Sequence, residues 1–80
     1  MEQKPSIGRI VIFVYPEGEE HLKKNNRAVE APAIVTRVWD AEVGMVNLKV
    51  QNDGSENTWA PSVKYSEEPV PYSWHWPARV

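Results

Sequence analysis

The sequence predicts an all-β domain built from short strands, on three observations. Seven prolines and four glycines divide the 80 residues into pieces too short for long helices. The apolar runs between them are rich in β-branched and aromatic residues, which favour strands. Turn-forming segments such as Asp53-Gly54 separate these runs. At this length the chain forms one domain, residues 1–80, near the lower limit for a self-sufficient core.

Five strands follow from this pattern, at residues 7–15, 33–39, 45–51, 57–60 and 74–76. Pro16 ends the first strand and Pro61 ends the fourth. Residues 40–44 and 52–55 are predicted to be tight hairpin turns. Residues 17–32 form a variable polar loop with at most a short helical turn, and residues 62–73 form an extended connector.

The two-residue alternation of a strand assigns a face to each side chain. The predicted inward residues are Ile34, Val38, Val46, Leu48 and Val50. The predicted outward residues are Arg37, Trp39, Asn47 and Lys49. Five short strands joined by tight turns predict a small, strongly bent antiparallel barrel of the SH3-like type, with an OB-like barrel as the alternative.

Composition excludes several classes of function. Nine basic and eleven acidic residues give a net charge of −2, which disfavours binding to duplex nucleic acid through its phosphates. The longest apolar run, residues 10–15, is far shorter than the ~20 residues that span a bilayer, and no signal peptide is evident, so we expect a soluble, unsecreted protein that does not bind membranes. Without cysteine, oligomerisation is the remaining common source of extra burial, which favours a homo-oligomer.

Catalytic and metal-binding signatures are weak. The chain has no cysteine, and none of its serines has a recognisable activating neighbour. His21 and His75 lie far apart in sequence, and the acidic clusters at 17–20 and 67–68 are interpreted as solvated loop faces. We therefore predict a protein that is not an enzyme, with no catalytic residue, metal ligand or cofactor. A nucleotide-cleaving enzyme that uses these histidines and carboxylates is the least favoured alternative.

The tryptophans are the strongest candidates for a binding site, since three of the four lie in the last 22 residues. Indole combines a large apolar face with an N–H donor and suits both cores and binding sites. The predicted ligand-binding residues are Arg9, Arg37, Asn47, Trp59, Ser62, Trp74, Trp76 and Arg79. In this prediction the indoles stack on a ligand, the arginines hold phosphate, and the amide and hydroxyl groups read polar edges. The alternative is that the indoles fill the core.

The order of several motifs resembles a family of small proteins from tailed bacteriophages and prophages. They are Gly-Arg-Ile-Val from residue 8, Pro-Ala-Ile-Val-Thr-Arg-Val-Trp at 32–39, Glu-Glu-Pro at 67–69, and Trp-His-Trp-Pro-Ala-Arg at 74–79. The resemblance covers nearly the whole chain outside residues 17–31. Tyr72 stands where the family leads us to expect glycine, and Ala78 where proline is common.

This resemblance implies a phage accessory protein in the host bacterial cytoplasm and implies no particular activity. Small phage proteins without catalytic residues commonly act by binding. We therefore expect the protein to counter antiphage defence by sequestering a cyclic or ADP-ribose-type nucleotide without cleaving it. The alternative is a protein–protein interaction module that inhibits a host protein or aids virion assembly.

Overall fold

The protein is an all-β barrel with one short helix in its first connection, as seen in a computed structural model that describes residues 3–78. The elements in chain order are β1 (Ile10–Val14), α1 (Glu19–Lys24), β2 (Glu30–Asp40), β3 (Met45–Val50), β4 (Thr58–Tyr65) and β5 (Ser73–His75). Neighbouring strands pair in this order, and β5 returns to pair with β1, which closes the barrel. The predicted SH3-like barrel is confirmed.

One pairing departs from the predicted antiparallel arrangement. Strands β4 and β5 run parallel where Lys64 pairs with Ser73 and Tyr65 with Trp74, whereas the other four pairings are antiparallel. A parallel pair needs a connection longer than a hairpin. Residues 66–72 supply it, so this connector is what lets a short fifth strand close the barrel.

Strand β2 bends because it carries extra residues relative to β3. Val35 pairs with Leu48 and Arg37 with the preceding residue of β3, so Thr36 is an extra residue at a bulge. One added residue reverses which side chains point inward. Before the bulge, Val35 is fully buried and Ile34 is 36% exposed, so the inward assignment of Ile34 is wrong. Beyond the bulge, Val38 packs against the core as predicted.

Strand β4 does not stop at Pro61 but runs on to Tyr65. Its pairing with β3 steps from Ala60 to Val63 while β3 advances by only two residues, so Pro61 and Ser62 lie in a bulge. A bulge tolerates proline because no ladder hydrogen bond is required of its missing N–H. The predicted end of this strand, and the connector assigned from residue 62, are therefore wrong over residues 61–65.

Of the two predicted hairpin turns, only the first is tight. Residues 41–44 form a turn in which the Asp40 carboxylate accepts a hydrogen bond from the backbone N–H of Glu42 at 2.9 Å. Gly44 adopts a φ of 72°, a left-handed conformation that favours glycine. Residues 52–55 instead belong to a longer connection, 51–57, because β3 ends at Val50 and β4 begins at Thr58.

The first and third connections are joined by Asn25, whose side chain is 2% exposed. Its Oδ1 accepts a hydrogen bond from the backbone N–H of Asp53 at 2.6 Å. Its Nδ2 donates to the carbonyl oxygens of Ala28 and Glu30, at 3.0 Å and 2.8 Å. Gly54 lies so close to α1 that an added Cβ would be 2.9 Å from the carbonyl oxygen of Lys24. The end of α1 is therefore fixed against the 51–57 connection.

Candidate ligand-binding face

The outer surface of β2, β3 and β4 carries exposed aromatic and cationic side chains. We call this surface the β2–β4 face and define it by Arg37, Trp39, Lys49 and Trp59. Trp39 is 52% exposed and Trp59 is 62% exposed, while both cations are also exposed. Lys49 lies on β3 between inward Leu48 and Val50 and pairs directly with Trp59 across the sheet. The predicted outward position of Arg37, Trp39 and Lys49 is confirmed.

Arg37 stacks on Trp39, with its guanidinium carbon 4.0 Å from the indole ring centroid. This cation–π contact occupies one flat face of the guanidinium and restricts the rotamers of its side chain. The N–H groups at the edge of the guanidinium point away from the ring and can still donate to an anion. The pair therefore presents an ordered cation and an exposed indole side by side.

Asn47 lies beneath this pair and has a structural role. It points outward on β3 as predicted, yet only 8% of it is exposed. Its Oδ1 accepts hydrogen bonds from Trp39 Nε1 and from the backbone N–H of Ser62, both at 2.8 Å. Asn47 thus orients the indole and satisfies a donor in the β4 bulge. The prediction that this amide reads a ligand is wrong for its oxygen, which already has two donors.

The β2–β4 face is basic although the protein has a net charge of −2. Strands β3 and β4 contain no acidic residue, and the acidic residues of β2 are its first and last, Glu30 and Asp40. Among the described residues, Arg37, Lys49 and Lys64 form no salt bridge. Most carboxylates lie in the connections, which leaves the centre of this face free to attract an anion.

Trp74, a predicted stacking residue, is fully buried in the barrel core. Its Nε1 donates to the carbonyl oxygen of Gly44 at 2.7 Å, and its ring meets Tyr65 edge-on with 5.0 Å between centroids. A ring with no exposed face cannot stack on a ligand, so the binding role of Trp74 is wrong. The core position follows from the register of β5, which pairs Trp74 with the buried Phe13 of β1 and with Tyr65 of β4.

Trp76 and Arg9 form a second arginine–indole pair, separate from the β2–β4 face. The Arg9 guanidinium carbon lies 4.7 Å from the Trp76 ring centroid, and Trp76 meets Trp74 edge-on with 5.0 Å between centroids. Trp76 is half-buried, so only part of its ring remains accessible. Arg79, the last predicted site residue, lies outside the described residues. The seven predicted residues that the structure describes therefore divide between the core, this pair, the β2–β4 face and the β4 bulge beside that face.

The histidines do not form a pair. His75 Nε2 lies 2.9 Å from a carboxylate oxygen of Glu30, while His21 lies on α1 with its Nε2 3.9 Å from a carboxylate oxygen of Glu20. Within residues 3–78, no group of three or more potential ligands is arranged to hold a metal ion. No helix in the same range has the length and apolar character needed to span a bilayer.

Tyr15 gives the fold a sensitivity to alkaline pH. Its hydroxyl donates to Asn52 Oδ1, and burial raises the pKa of Tyr15 to about 12 from 10.0. Because the raised pKa favours the protonated phenol in the folded state, this contribution to stability is complete below about pH 10 and falls as the pH rises through about 12. In urea unfolding, we expect the stability advantage of the wild type over Tyr15→Phe to shrink above about pH 10. If the stability difference between wild type and Tyr15→Phe stayed constant at high pH, the raised pKa of Tyr15 would not contribute to stability.

Comparisons with protein-family models, curated proteins and solved structures found no match for this chain. The resemblance to phage proteins therefore stays a prediction from the motifs themselves.

Proposed function

We propose that the protein is a phage accessory protein that counters bacterial antiphage defence in the host cytoplasm by sequestering a nucleotide signal at the β2–β4 face. The phage origin is supported by the motif resemblance. The binding mode is supported by one observation above the others: an acidic protein carries a basic face on which two indoles are exposed. Cations beside accessible aromatic rings are the combination that nucleotide phosphates and bases require.

The indoles supply stacking surfaces for bases. Trp39 and Trp59 expose half or more of their area, and both project from paired strands of a closed barrel. Stacking on an aromatic side chain stabilises a bound base by about 1–3 kcal/mol. Because Trp39 is oriented by its hydrogen bond to Asn47, little rotamer entropy is lost when a base stacks on it.

The cations supply contacts for phosphate. Arg37 is ordered by Trp39 beneath it and presents the edge of its guanidinium, which suits bidentate contact with phosphate oxygens. Lys49 lies beside Trp59, where it can reach a phosphate attached to a stacked nucleoside. The face therefore matches a ligand with two bases or one base and several phosphates.

Retention of the nucleotide without cleavage follows from the chemistry of this face. Its described side chains are indoles, cations and an amide oxygen that already accepts two hydrogen bonds. Between the terminal residues of β2, and throughout β3 and β4, no carboxylate or histidine is present to act as a general base. Binding is thus the activity that this set of groups supports.

The proposal is tested by incubating the protein with a panel of cyclic oligonucleotides and ADP-ribose-type nucleotides. After free ligand is removed, the protein is denatured and the released material is identified by mass spectrometry. Recovery of one intact nucleotide in stoichiometric amount supports sequestration. Recovery of a chemically altered product indicates an enzyme, and no retention across the panel refutes the proposal.

Single substitutions on the face are expected to weaken retention of that nucleotide. Trp59→Ala and Trp39→Ala should each raise the Kd by about 5- to 100-fold, which is the loss of one stacking contact. Arg37→Ala should raise it and also reduce its dependence on salt. Lys23→Ala is the matched control, since it removes an exposed cation from α1 and should leave the Kd unchanged. Equal effects of Arg37→Ala and Lys23→Ala would show that only net charge matters.

A protein-binding role is the second candidate, because apolar side chains continue the face onto β1. Four residues lie in one row across the sheet, because each pairs with the next: Ile10 with Ile34, Ile34 with Lys49, and Lys49 with Trp59. Ile10 is 55% exposed and Ile34 is 36% exposed. An exposed apolar row of this kind suits a host protein or a second copy of the chain. Sedimentation equilibrium tests the expected homo-oligomer, and a stoichiometric partner recovered from bacterial lysate would favour the host protein.

A further inference from the structure

A small aromatic cavity lies where β1 ends, between this strand, β4 and α1. Its volume is about 160 Å³. Four aromatic rings line it, from Phe13, Tyr15, Trp59 and Tyr72. His21 and Lys24 of α1 also border it. Of these six residues only Trp59 belongs to the β2–β4 face, so the cavity is a different site from the one described above.

The size and walls of the cavity match a single aromatic ring. A cavity of about 150 Å³ with apolar walls is large enough to bind benzene. Phe13 meets Tyr15 and Tyr72 edge-on, with centroid distances of 5.3 Å and 5.6 Å. Phe13 and Tyr15 are only 2% and 5% exposed, so the ring surface open to a ligand belongs to Tyr72 and Trp59, which are 38% and 62% exposed. Edge-to-face or offset contacts with a planar ligand are available there.

Tyr72 is held as a wall of this cavity in a strained conformation. Its φ of 56° lies in the left-handed region, where a residue with a Cβ is disfavoured by about 1–2 kcal/mol relative to glycine. Its N–H donates to the carbonyl oxygen of Val14 at 3.0 Å, and its hydroxyl donates to the carbonyl oxygen of Pro61. Strained residues fixed by their surroundings concentrate at ligand sites. Tyr72 is therefore both strained and part of the wall of a cavity, which is the combination expected at a ligand site.

The charge at the rim favours an anion. Lys24 is exposed and forms no salt bridge among the described residues, and no lining residue is acidic. The rim is also rigid, because Asn25 and Gly54 fix the end of α1 against the 51–57 connection. Burial raises the pKa of both Tyr15 and Tyr72, so their phenols stay neutral and do not oppose an anion.

We propose that this cavity binds one planar aromatic ring that carries a single anionic group, with the ring against Tyr72 and Trp59 and the anion at Lys24. Two sources share this chemistry, a free aryl carboxylate and a pyrimidine nucleoside monophosphate, whose base supplies the ring and whose phosphate supplies the anion. The proposal goes beyond nucleotide binding at the β2–β4 face, since Arg37 and Trp39 take no part in it. The cavity shares only Trp59 with that face and can be tested separately.

The test is a titration followed by ¹H–¹⁵N NMR with benzoate, benzylamine and cyclohexanecarboxylate as probes. For a ligand as small as benzoate we expect a Kd on the order of millimolar. Saturable shifts should centre on Tyr15, Lys24, Trp59 and Tyr72. Benzylamine reverses the charge next to Lys24 and cyclohexanecarboxylate removes the aromatic ring, and each should bind at least about 5-fold more weakly. Uridine 5′-monophosphate is added as a fourth probe to distinguish the two ligand classes. A site for nucleotides should bind it more tightly than benzoate, whereas a site for aryl carboxylates should not.

Three variants test whether benzoate binds in the cavity and not elsewhere on the protein. Tyr72→Gly removes the wall while relieving the strained φ, so the fold is retained and the Kd for benzoate should rise by about 10-fold or more. Lys24→Glu should weaken benzoate and strengthen benzylamine. Trp39→Ala is the control, and it should impair only the β2–β4 face.

Failure of either proposal can be distinguished from failure of the other. The cavity proposal is overturned if benzoate causes no saturable shifts at these residues, if benzylamine binds equally well, or if both Tyr72→Gly and Lys24→Glu leave the Kd for benzoate unchanged. Retention of nucleotides on the β2–β4 face is read from Arg37→Ala and Trp39→Ala instead. Benzoate binding that persists in those two variants supports a separate site whatever the nucleotide panel shows.

Discussion

Trp74→Ala is expected to remove much of the protein's stability. The indole is fully buried, and truncation of a buried tryptophan destabilises a protein by about 3–5 kcal/mol through lost burial and the cavity that remains. A chain of this length has a total stability of about 4–12 kcal/mol. The substitution also leaves the carbonyl oxygen of Gly44 without its donor. In thermal unfolding followed by far-UV circular dichroism, Tm should fall by about 15 °C or more.

Two variants show which property of Trp74 matters. Trp74→Phe keeps most of the apolar volume but loses the hydrogen bond to Gly44, so it should be destabilised less than Trp74→Ala. Trp59→Ala truncates an indole that is 62% exposed and should change stability by less than about 1 kcal/mol. If Trp74→Ala and Trp59→Ala had the same Tm, the assignment of one ring to the core and the other to the surface would be wrong.

The contrast between these two tryptophans shows what the sequence could predict. Both lie in the tail-proximal cluster of indoles, and residue chemistry alone is compatible with either role. Their roles are decided by strand register. Trp59 pairs with Lys49 on the outward side of β3, whereas Trp74 sits beside Phe13 on the inward side of β1. Register depends on pairings between distant segments, which single-strand alternation does not contain.

The alternation itself predicted the core well wherever a strand is regular. Val46, Leu48 and Val50 are all fully buried as expected, because β3 carries no extra residue. The same rule was wrong at Ile34, because Thr36 inserts a bulge into β2. A bulge leaves no clear mark in a sequence of β-branched residues. A proline can mark one, as Pro61 does, yet here it was interpreted as the end of a strand.

The sequence predicted the aromatic and cationic character of the candidate face, but only some of the residues that form it. Strand alternation predicted that Arg37 and Trp39 lie side by side, and the structure brings Asn47 and Ser62 to the same place. Asn47 has a structural role because it accepts a hydrogen bond from the β4 bulge, and this bulge was not predicted. The aromatic cavity was missed altogether. Its one signal was Tyr72, a tyrosine where glycine was expected, at a position whose φ favours glycine.

Asn25→Ala is expected to have the second largest effect, because one buried side chain joins two connections. The substitution leaves three backbone groups without partners, the N–H of Asp53 and the carbonyl oxygens of Ala28 and Glu30. Each part-buried group left without its partner costs about 1 kcal/mol, so the free energy of unfolding should fall by roughly 3 kcal/mol. Urea unfolding measures this loss.

The same substitution should also affect ligand binding, because Asn25 fixes the end of α1 that carries Lys24. Faster hydrogen exchange at the amides of Asp53 and Arg27 would report that this end has loosened. Benzoate should then bind more weakly to Asn25→Ala even under conditions where the barrel remains folded. Asn57→Ala is the control, since Asn57 is exposed in the same connection as Asp53. If both variants unfolded at the same urea concentration and exchanged at the same rate, the connections would not be joined through Asn25, and the rim of the cavity would need another support.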